Sequence, residues 1–365
     1  YRGIVKDLGL AFDLEPHLSE IRQRIAEGAS ADYVASRGEY LNGLILAEYL
    51  NYDFIDAKDV IRFDENGRFD EELTNEILSE KLKKHKRAVI PGFYGAMPNG
   101  AIKTFSRGGS DITGAIVARA AQAEVYENWT DVSGFMVADP RIVKEAKPIK
   151  QITYRELREL SYMGATVLHD EAVFPVRKAG IPIHIKNTNE PEHPGTIIIS
   201  EPNLSEIRPG SITGIAGKKG FTVIAIYKNR MNSEIGFVRR ILSVLEENRI
   251  SFEHLPSGID TVCVVIEASQ LNGKLEKVVQ GIREACEPDT IDIYPNMALI
   301  ATVGYGMAYT PGVAARIFTA LYKENINIRM IDQGSSEINI IVGIENDVFE
   351  KAVRAIYNAF AEFLE

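Results

Sequence analysis

Over the first 85 or so residues the apolar positions recur mostly at three- and four-residue steps. Leu18, Ile21 and Ile25 form one such series, and Leu41, Leu44, Ile45 and Leu50 a second. That spacing predicts helices buried along one face. Ser36-Arg37-Gly38-Glu39 precedes the second series and reads as its helix start. A short apolar run at 87–90 then predicts a buried strand, ending in Pro91-Gly92-Phe93-Tyr94-Gly95. A small-residue helix is predicted over 112–123, a strand closing at Trp129-Thr130-Asp131, and a loop at Asp139-Pro140-Arg141. Helices over 154–163 and from about His169 precede a strand at 181–185. Strands alternating with helices predict an α/β domain with a largely parallel sheet.

Between 201 and 211 the composition turns to Pro, Ser, Asn and Gly, as expected of a linker. An internal repeat follows. Gly236-Phe237-Val238 opens a helix closing at Leu245, with Arg249-Ile250-Ser251 and Gly258 beyond it. Gly312-Val313-Ala314 opens a second, closing at Leu321, with Asn325-Ile326-Asn327 and Gly334 beyond. Ile241, Leu245 and Ile250 correspond to Ile317, Leu321 and Ile326. Each copy is expected to run strand, helix, strand, strand, helix, strand.

Length and charge narrow the classes. The 365 residues suggest two to three domains at roughly 150 residues each. The balance of 45% hydrophobic and 25% charged residues is that of a globular chain, and it excludes disordered, collagen-like and disulfide-stapled classes. A net charge of −10 without a basic block argues against nucleic acid or an anionic bilayer as partner. Cys263 and Cys286 lack CxxC spacing and histidine partners, so both are expected to be free thiols in a reducing, cytoplasmic compartment. Apolar runs such as 262–266 are too short to span a membrane. No signal peptide is seen, and the opening Tyr1-Arg2-Gly3 reads as that of a chain whose beginning is missing.

Arg107-Gly108-Gly109-Ser110-Asp111 is the sharpest local feature. Two glycines let the backbone approach an anion, and the following helix offers free N–H groups at its positive end. Arg107 suits a carboxylate clamp through two parallel hydrogen bonds. Asp111 suits a ligand ammonium or a magnesium-bound phosphate. The same residues fit a plain glycine turn with a Ser or Asp N-cap. Thr130-Asp131, at a strand end, is either a ligand contact or an Asx turn. Glu39 is either an ammonium ligand or a first-turn glutamate favoured by the helix dipole. Arg141 either reaches phosphates or is a solvated loop arginine. The six histidines share no ligand spacing, and His169 reads as structural. No dedicated metal-binding set is discerned.

In order along the chain, Ser36-Arg37-Gly38-Glu39, Ser106 to Asp111, Trp129-Thr130-Asp131-Val132 with Asp139-Pro140-Arg141, and Met163-Gly164-Ala165-Thr166-Val167-Leu168-His169 resemble the aspartate kinase family. Pro311-Gly312-Val313-Ala314-Ala315-Arg316 and Gln333-Gly334-Ser335-Ser336-Glu337-Ile338-Asn339 resemble that family's paired ACT regulatory domains. The resemblance covers essentially the whole chain. It implies an amino-acid-kinase-like, mainly parallel sheet sandwiched by helices over 1–205, N-terminally incomplete. Two ferredoxin-like ACT units over 212–292 and 296–365 would follow, with the strand at 212–217 open to assignment to the second.

The implied reaction is ATP-dependent phosphorylation of L-aspartate to 4-phospho-L-aspartate, which opens lysine, threonine and methionine synthesis, with ATP and Mg2+ as cofactors. Glu39, Arg107, Gly108, Gly109 and Ser110 would hold aspartate, with Arg107 and Asp111 catalytic. Thr130, Asp131, Met136, Arg141, Thr166 and Val167 would hold ATP. Phosphoryl transfer needs positioning and charge neutralisation more than a covalent nucleophile, and these residue types supply both. The effector site would comprise Met231, Glu234, Gly236, Phe237, Val238, Ser251, Phe252 and Glu253, taking lysine in preference to threonine in a homo-oligomer, at least a dimer, joined through ACT domains. Residues 1–35 lack the family's Lys-Phe-Gly-Gly turn, Met136 stands where many members have tyrosine, and Thr166 where many have lysine. The missing lysine leads to the expectation that the chain as it stands turns over poorly. A non-catalytic amino-acid-sensing subunit is the competing reading, and another amino-acid-kinase relative a further one. Retention of Arg107, Asp111 and Asp131 favours the enzyme.

Overall fold

The computed structural model describes all residues except 107, 165–173, 203–206 and 364–365. Its contacts separate two units. The first comprises Tyr1–Gly134, Lys150–Tyr154 and Thr166–Glu201, and the second Phe135–Ile149, Arg155–Ala165 and Pro202–Glu365.

The first unit opens with helices α1 (Arg2–Asp7), α2 (Glu15–Ala26) and α3 (Ala31–Leu50). Strand β1 (Asp53–Phe54), α4 (Ala57–Val60), α5 (Glu71–Leu82) and strands β2 (Ala88–Val89), β3 (Tyr94–Ala96) and β4 (Ile102–Thr104) follow. Next come α6 (Gly109–Ala120), β5 (Tyr126–Thr130) and β6 (Gln151–Thr153). Helix α7 (Tyr154–Tyr162) leaves this unit after its first residue, and α8 (Phe174–Ala179), β7 (Ile183–Asn187) and β8 (Thr196–Ile199) complete it. β5 runs parallel to β7 and β6 parallel to β8, with β7 and β8 antiparallel between them, in the order β5-β7-β8-β6. β1 and β2 form a separate parallel pair. The core packs Ile55, Val60, Ile61, Leu78, Tyr94, Ile112 and Ile116 around Phe63 and Phe105.

α3 does not start at Ser36-Arg37-Gly38-Glu39, which lies inside it. Ser30 caps the helix instead, its hydroxyl accepting from the Tyr33 N–H at 3.2 Å, so the helix is set five residues before the motif begins. The small-residue helix starts at Gly109, not 112, because Gly108 adopts φ 55° and turns the chain into it. The strand expected to be buried at 87–90 is half-buried, since it pairs on one side with β1 alone.

The second unit carries one antiparallel sheet in the order β10-β9-β11-β13-β12. Its elements are β9 (Gly214–Tyr227), α9 (Phe237–Glu247), β10 (Thr261–Glu267), α10 (Leu275–Cys286), β11 (Thr290–Val303), α11 (Val313–Lys323), β12 (Met330–Asp332), β13 (Asn339–Glu345) and α12 (Phe349–Phe360). The long strands β9 and β11 pair along both halves, with a register shift between Tyr294 and Ala298. One half packs Ile224, Ile226, Val262 and Val264 under Phe237, Ile241, Leu245, Val278 and Ile282. In the other half Val313, Ile317, Leu321, Val353, Ile356 and Phe360 are buried. The repeat is plain at the helix starts: Gly236 and Gly312 cap α9 and α11 at φ 80° and 92°, a conformation side-chain-bearing residues rarely adopt.

The strand that the repeat order calls for directly after α9 does not form at Ser251-Phe252-Glu253. Only isolated bridges form there, His254 with Val265 and Ser257 with Val262. Pro256 between them has no N–H to give a ladder. Among the described residues no helix is long and apolar enough to cross a membrane.

Candidate functional site

The N-terminus of α6 is built to stay open. Gly108 caps it, and among the described residues no side chain bonds its cap, so neither Ser110 nor Asp111 is an N-cap. The loop from Pro91 is pressed onto this turn. A Cβ at Gly109 would stand 2.7 Å from Phe93 Cδ2, and one at Gly92 would stand 3.1 Å from Ser110 Cα. Phe93 sits at φ 81°, a costly conformation for an aromatic residue. It is held there by its N–H donating to Thr113 Oγ1 at 3.0 Å and its carbonyl accepting from the Phe105 N–H at 2.9 Å. Gly109 is buried and Ser110 exposed. Arg107, the proposed carboxylate clamp, lies outside the described residues.

Asp111 stands in the first turn of α6. Asn128 Nδ2 donates to its Oδ1 at 2.9 Å, and the Tyr126 hydroxyl to its backbone carbonyl at 3.2 Å. Burial pushes the Tyr126 phenol up to about 12. At the end of β5, Thr130 Oγ1 lies 3.3 Å from Asp131 Oδ1, and Asp131 is exposed. The Asx turn weighed for Asp131 is found on the neighbouring strand, where Asn187 Oδ1 accepts from the Asn189 N–H at 2.8 Å. Asn187 also donates to Ser133 Oγ at 2.8 Å, and Ser133 to Glu190 at 2.9 Å.

Glu39 is exposed in the middle of α3, so the first-turn reading of it does not hold. Arg37, two residues before it, turns inward: its guanidinium lies 4.6 Å from the Tyr33 and Tyr40 ring centres and 5.2 Å from that of Tyr94. α3 is tied to the strand that feeds the α6 turn. Asp32 binds Lys103 Nζ at 3.1 Å and accepts from the Thr104 hydroxyl. Burial raises the Asp32 carboxyl, but Thr104 and Lys103 outweigh it and hold the group below its usual range.

Met136 and Arg141 belong to the second unit. Met136 is half-buried and bridges Pro148, while the Arg141 guanidinium is exposed and reaches Asp139 Oδ2 at 2.6 Å. Thr166 and Val167 lie outside the described residues.

The structure divides the effector candidates: Met231 to Val238 lie at the start of α9, whereas Ser251, Phe252 and Glu253 follow its other end. Met231 and Phe237 are buried, Val238 is half-buried, and Gly236 leaves the helix end without a side-chain cap. Glu234 is already matched by Lys228 at 2.8 Å and by Arg240, and the Lys228 hydrogen bond is the main reason its carboxyl lies below the usual range. Ser251 donates through its N–H and hydroxyl to Gln270 Oε1 at 2.9 and 3.0 Å. Phe252 is partly exposed, and the Glu253 carboxylate accepts from the Tyr162 hydroxyl. Sequence reasoning missed Asn128, Tyr162 and Gln270. Only the alternation of β5, which sets Asn128 on the face shared by Tyr126 and Thr130, could have signalled the first.

Two family models match: the amino acid kinase family over residues 2–187 and the ACT domain over residues 300–360. Aspartokinase 3 of Bacillus subtilis is 39% identical over 338 residues, covering 90% of this chain and 74% of that protein. Aspartokinase 1, chloroplastic, of Arabidopsis thaliana is 29% identical over 351 residues; the chain spans 60% of its length. Among solved structures, Clostridium acetobutylicum aspartate kinase superposes with a TM-score of 0.90 at 60% identity, over 98% of this chain and 81% of that one. Escherichia coli aspartokinase III, solved with lysine and aspartate, shares the fold at TM-score 0.73 and 24% identity, over 95% of this chain and 81% of that one. A Gly-capped helix start beside a parallel strand end, a second unit built on a repeated Gly-capped helix, and these likenesses together place the chain in the aspartokinases, phosphotransferases of the amino acid kinase family that carry ACT domains.

Proposed function

We propose that the protein transfers the γ-phosphoryl group of ATP to the side-chain carboxylate of L-aspartate, giving 4-phospho-L-aspartate. The observation that carries the reading is the uncapped first turn of α6, with Asp111 in it and Thr130-Asp131 at the end of the strand packed behind it. Gly108, Gly109 and Ser110 offer N–H groups to one substrate carboxylate, and Arg107 grips it bidentately. The other carboxylate is then left to attack the γ-phosphate in line, so catalysis rests on positioning and charge neutralisation. Glu39 answers the substrate ammonium. Thr130, Asp131, Met136, Arg141, Thr166 and Val167 serve ATP. Asp111 and Asp131 are hard oxygen donors of the kind that accompany Mg2+ bound to phosphates, and the ion would neutralise phosphate charge there.

The domain reading of a kinase over 1–205 and ACT units over 212–292 and 296–365 belongs to the same proposal, as do a homodimer through the ACT units and a cytoplasmic setting. So does a place at the head of lysine, threonine and methionine synthesis. Aspartate-dependent ADP release in a coupled assay, with calorimetric titration of aspartate beside it, tests the reaction. Binding of L-aspartate and not of L-glutamate is expected, with whatever ADP release the chain supports dependent on L-aspartate. Absence of both with L-aspartate overturns the reading.

A further inference from the structure

We propose that Asn128 is a positioning residue for phosphoryl transfer: it fixes the Asp111 carboxylate so that one oxygen is spent on the protein and the other is presented to the ligand. The inference rests on the reading of the α6 turn as the substrate cradle. Asn128 sits in mid-β5, only 7% exposed, among residues whose spacing would accept an apolar side chain. Its Nδ2 donates to Asp111 Oδ1 and lies 2.9 Å from the Tyr126 hydroxyl as well. Asp111 Oδ2 has no protein partner among the described residues, so the carboxylate is half-satisfied and aimed. A buried amide is costly unless it is bonded, which makes an Asn here an expensive way to fill the core and a cheap way to orient a charge.

The surroundings show how the aim is kept. Tyr126, Asn128 and Thr130 share one face of β5, the face turned to α6. The Tyr126 ring lies across the helix at Gly114, where a Cβ would meet its hydroxyl at 2.4 Å. The helix therefore sits close enough for the tyrosine hydroxyl to bond the Asp111 carbonyl while the amide bonds its side chain. Backbone and carboxylate of one residue are gripped by consecutive inward positions of one strand, and the next inward position is Thr130 at the strand end. Asp111 is thus placed in register with the residues that would hold the nucleotide.

The test is a double-substitution cycle on the holoenzyme with ATP, Mg2+ and aspartate, using Asn128→Leu, Asp111→Asn and the pair. Thermal unfolding is recorded for each variant. Asn128→Leu is expected to lower kcat/KM for aspartate about tenfold, and Asn128→Asp further, because a like charge would face Asp111. In the Asp111→Asn background, Asn128→Leu is expected to change kcat/KM by less than about twofold, since the group it positions is already gone. Equal losses in both backgrounds would show that Asn128 acts on the fold alone and overturn the inference. A wild type that neither binds aspartate nor releases ADP with it overturns instead the functional reading beneath it.

Discussion

At the scale of single residues, the α6 turn depends on atoms that are absent. Gly109→Ala would put a methyl 2.7 Å from Phe93 Cδ2 and 3.0 Å from Phe93 Cα, and a residue already at φ 81° has little room to yield. The expected cost is about 1–3 kcal/mol, the range for overpacking, read as a lowered denaturant midpoint, together with weakened aspartate binding. Gly109 is not at a positive φ, so Gly3→Ala, also in a helix but with nothing within 4 Å of the added Cβ, is the control for a substitution without crowding. Arg107 carries the complementary prediction. If two parallel hydrogen bonds hold the substrate carboxylate, Arg107→Lys should raise the aspartate KM nearly as far as Arg107→Ala, on the order of ten- to a hundredfold, because a point charge cannot replace the fork. An unchanged KM in the lysine variant would remove Arg107 from the site. The entry into α6 was legible in the sequence because a doubled glycine before a helix accepts the positive φ that Gly108 adopts there. Asn128 was not, since a polar residue in a strand carries no local mark of the carboxylate it meets across a helix.

At the scale of elements, the periodicity of apolar positions located the helices better than their ends. Ser36-Arg37-Gly38-Glu39 has the residue types of a helix start, but Ser30 wins by its hydrogen bond to the Tyr33 N–H, and Arg37 is drawn inward by three tyrosine rings. The extended segment near 251–257 failed for a different reason: Pro256, between the two bridging residues, interrupts the ladder. What fixes α3 against the strand feeding the site is Asp32, through Lys103 and Thr104. Its carboxyl is held below the ordinary range in the folded protein, so the folded state binds fewer protons near that range than the unfolded one. The stability it contributes is full above the unfolded pKa of about 3.9 and is lost as pH falls through the folded value. The difference in melting temperature between wild type and Asp32→Asn is therefore expected to be constant near neutrality and to close as the pH is lowered below about 4. A difference that persists unchanged at low pH would assign the loss to packing and not to charge.

At the scale of the whole molecule, the repeat in the sequence announced two small α/β units in tandem, yet it hid that β9 and β11 run through both. A periodic pattern marks which positions are buried, not that one strand serves two cores. The effector site proposed at the start of α9 gains its argument from what is already paired around it. Glu234 has both Lys228 and Arg240, so a third cation would find its charge spent. Glu253, beyond the other end of α9, is met among the described residues by a neutral hydroxyl, that of Tyr162, with no cation beside it. The uncapped N–H groups behind Gly236 suit the ligand's carboxylate. A lysine side chain carries a second ammonium and a threonine side chain does not, so the pairing that remains favours lysine. Lysine bound with different affinity to two states of the enzyme would then shift the kinase between them. Calorimetric titration of wild type, Glu253→Gln and Tyr162→Phe with both amino acids decides it. Lysine binding about tenfold weaker in Glu253→Gln, and retained in Tyr162→Phe, is the expected result. Lysine binding that survives Glu253→Gln unchanged removes that carboxylate from the site, and binding of threonine alone overturns the choice of effector.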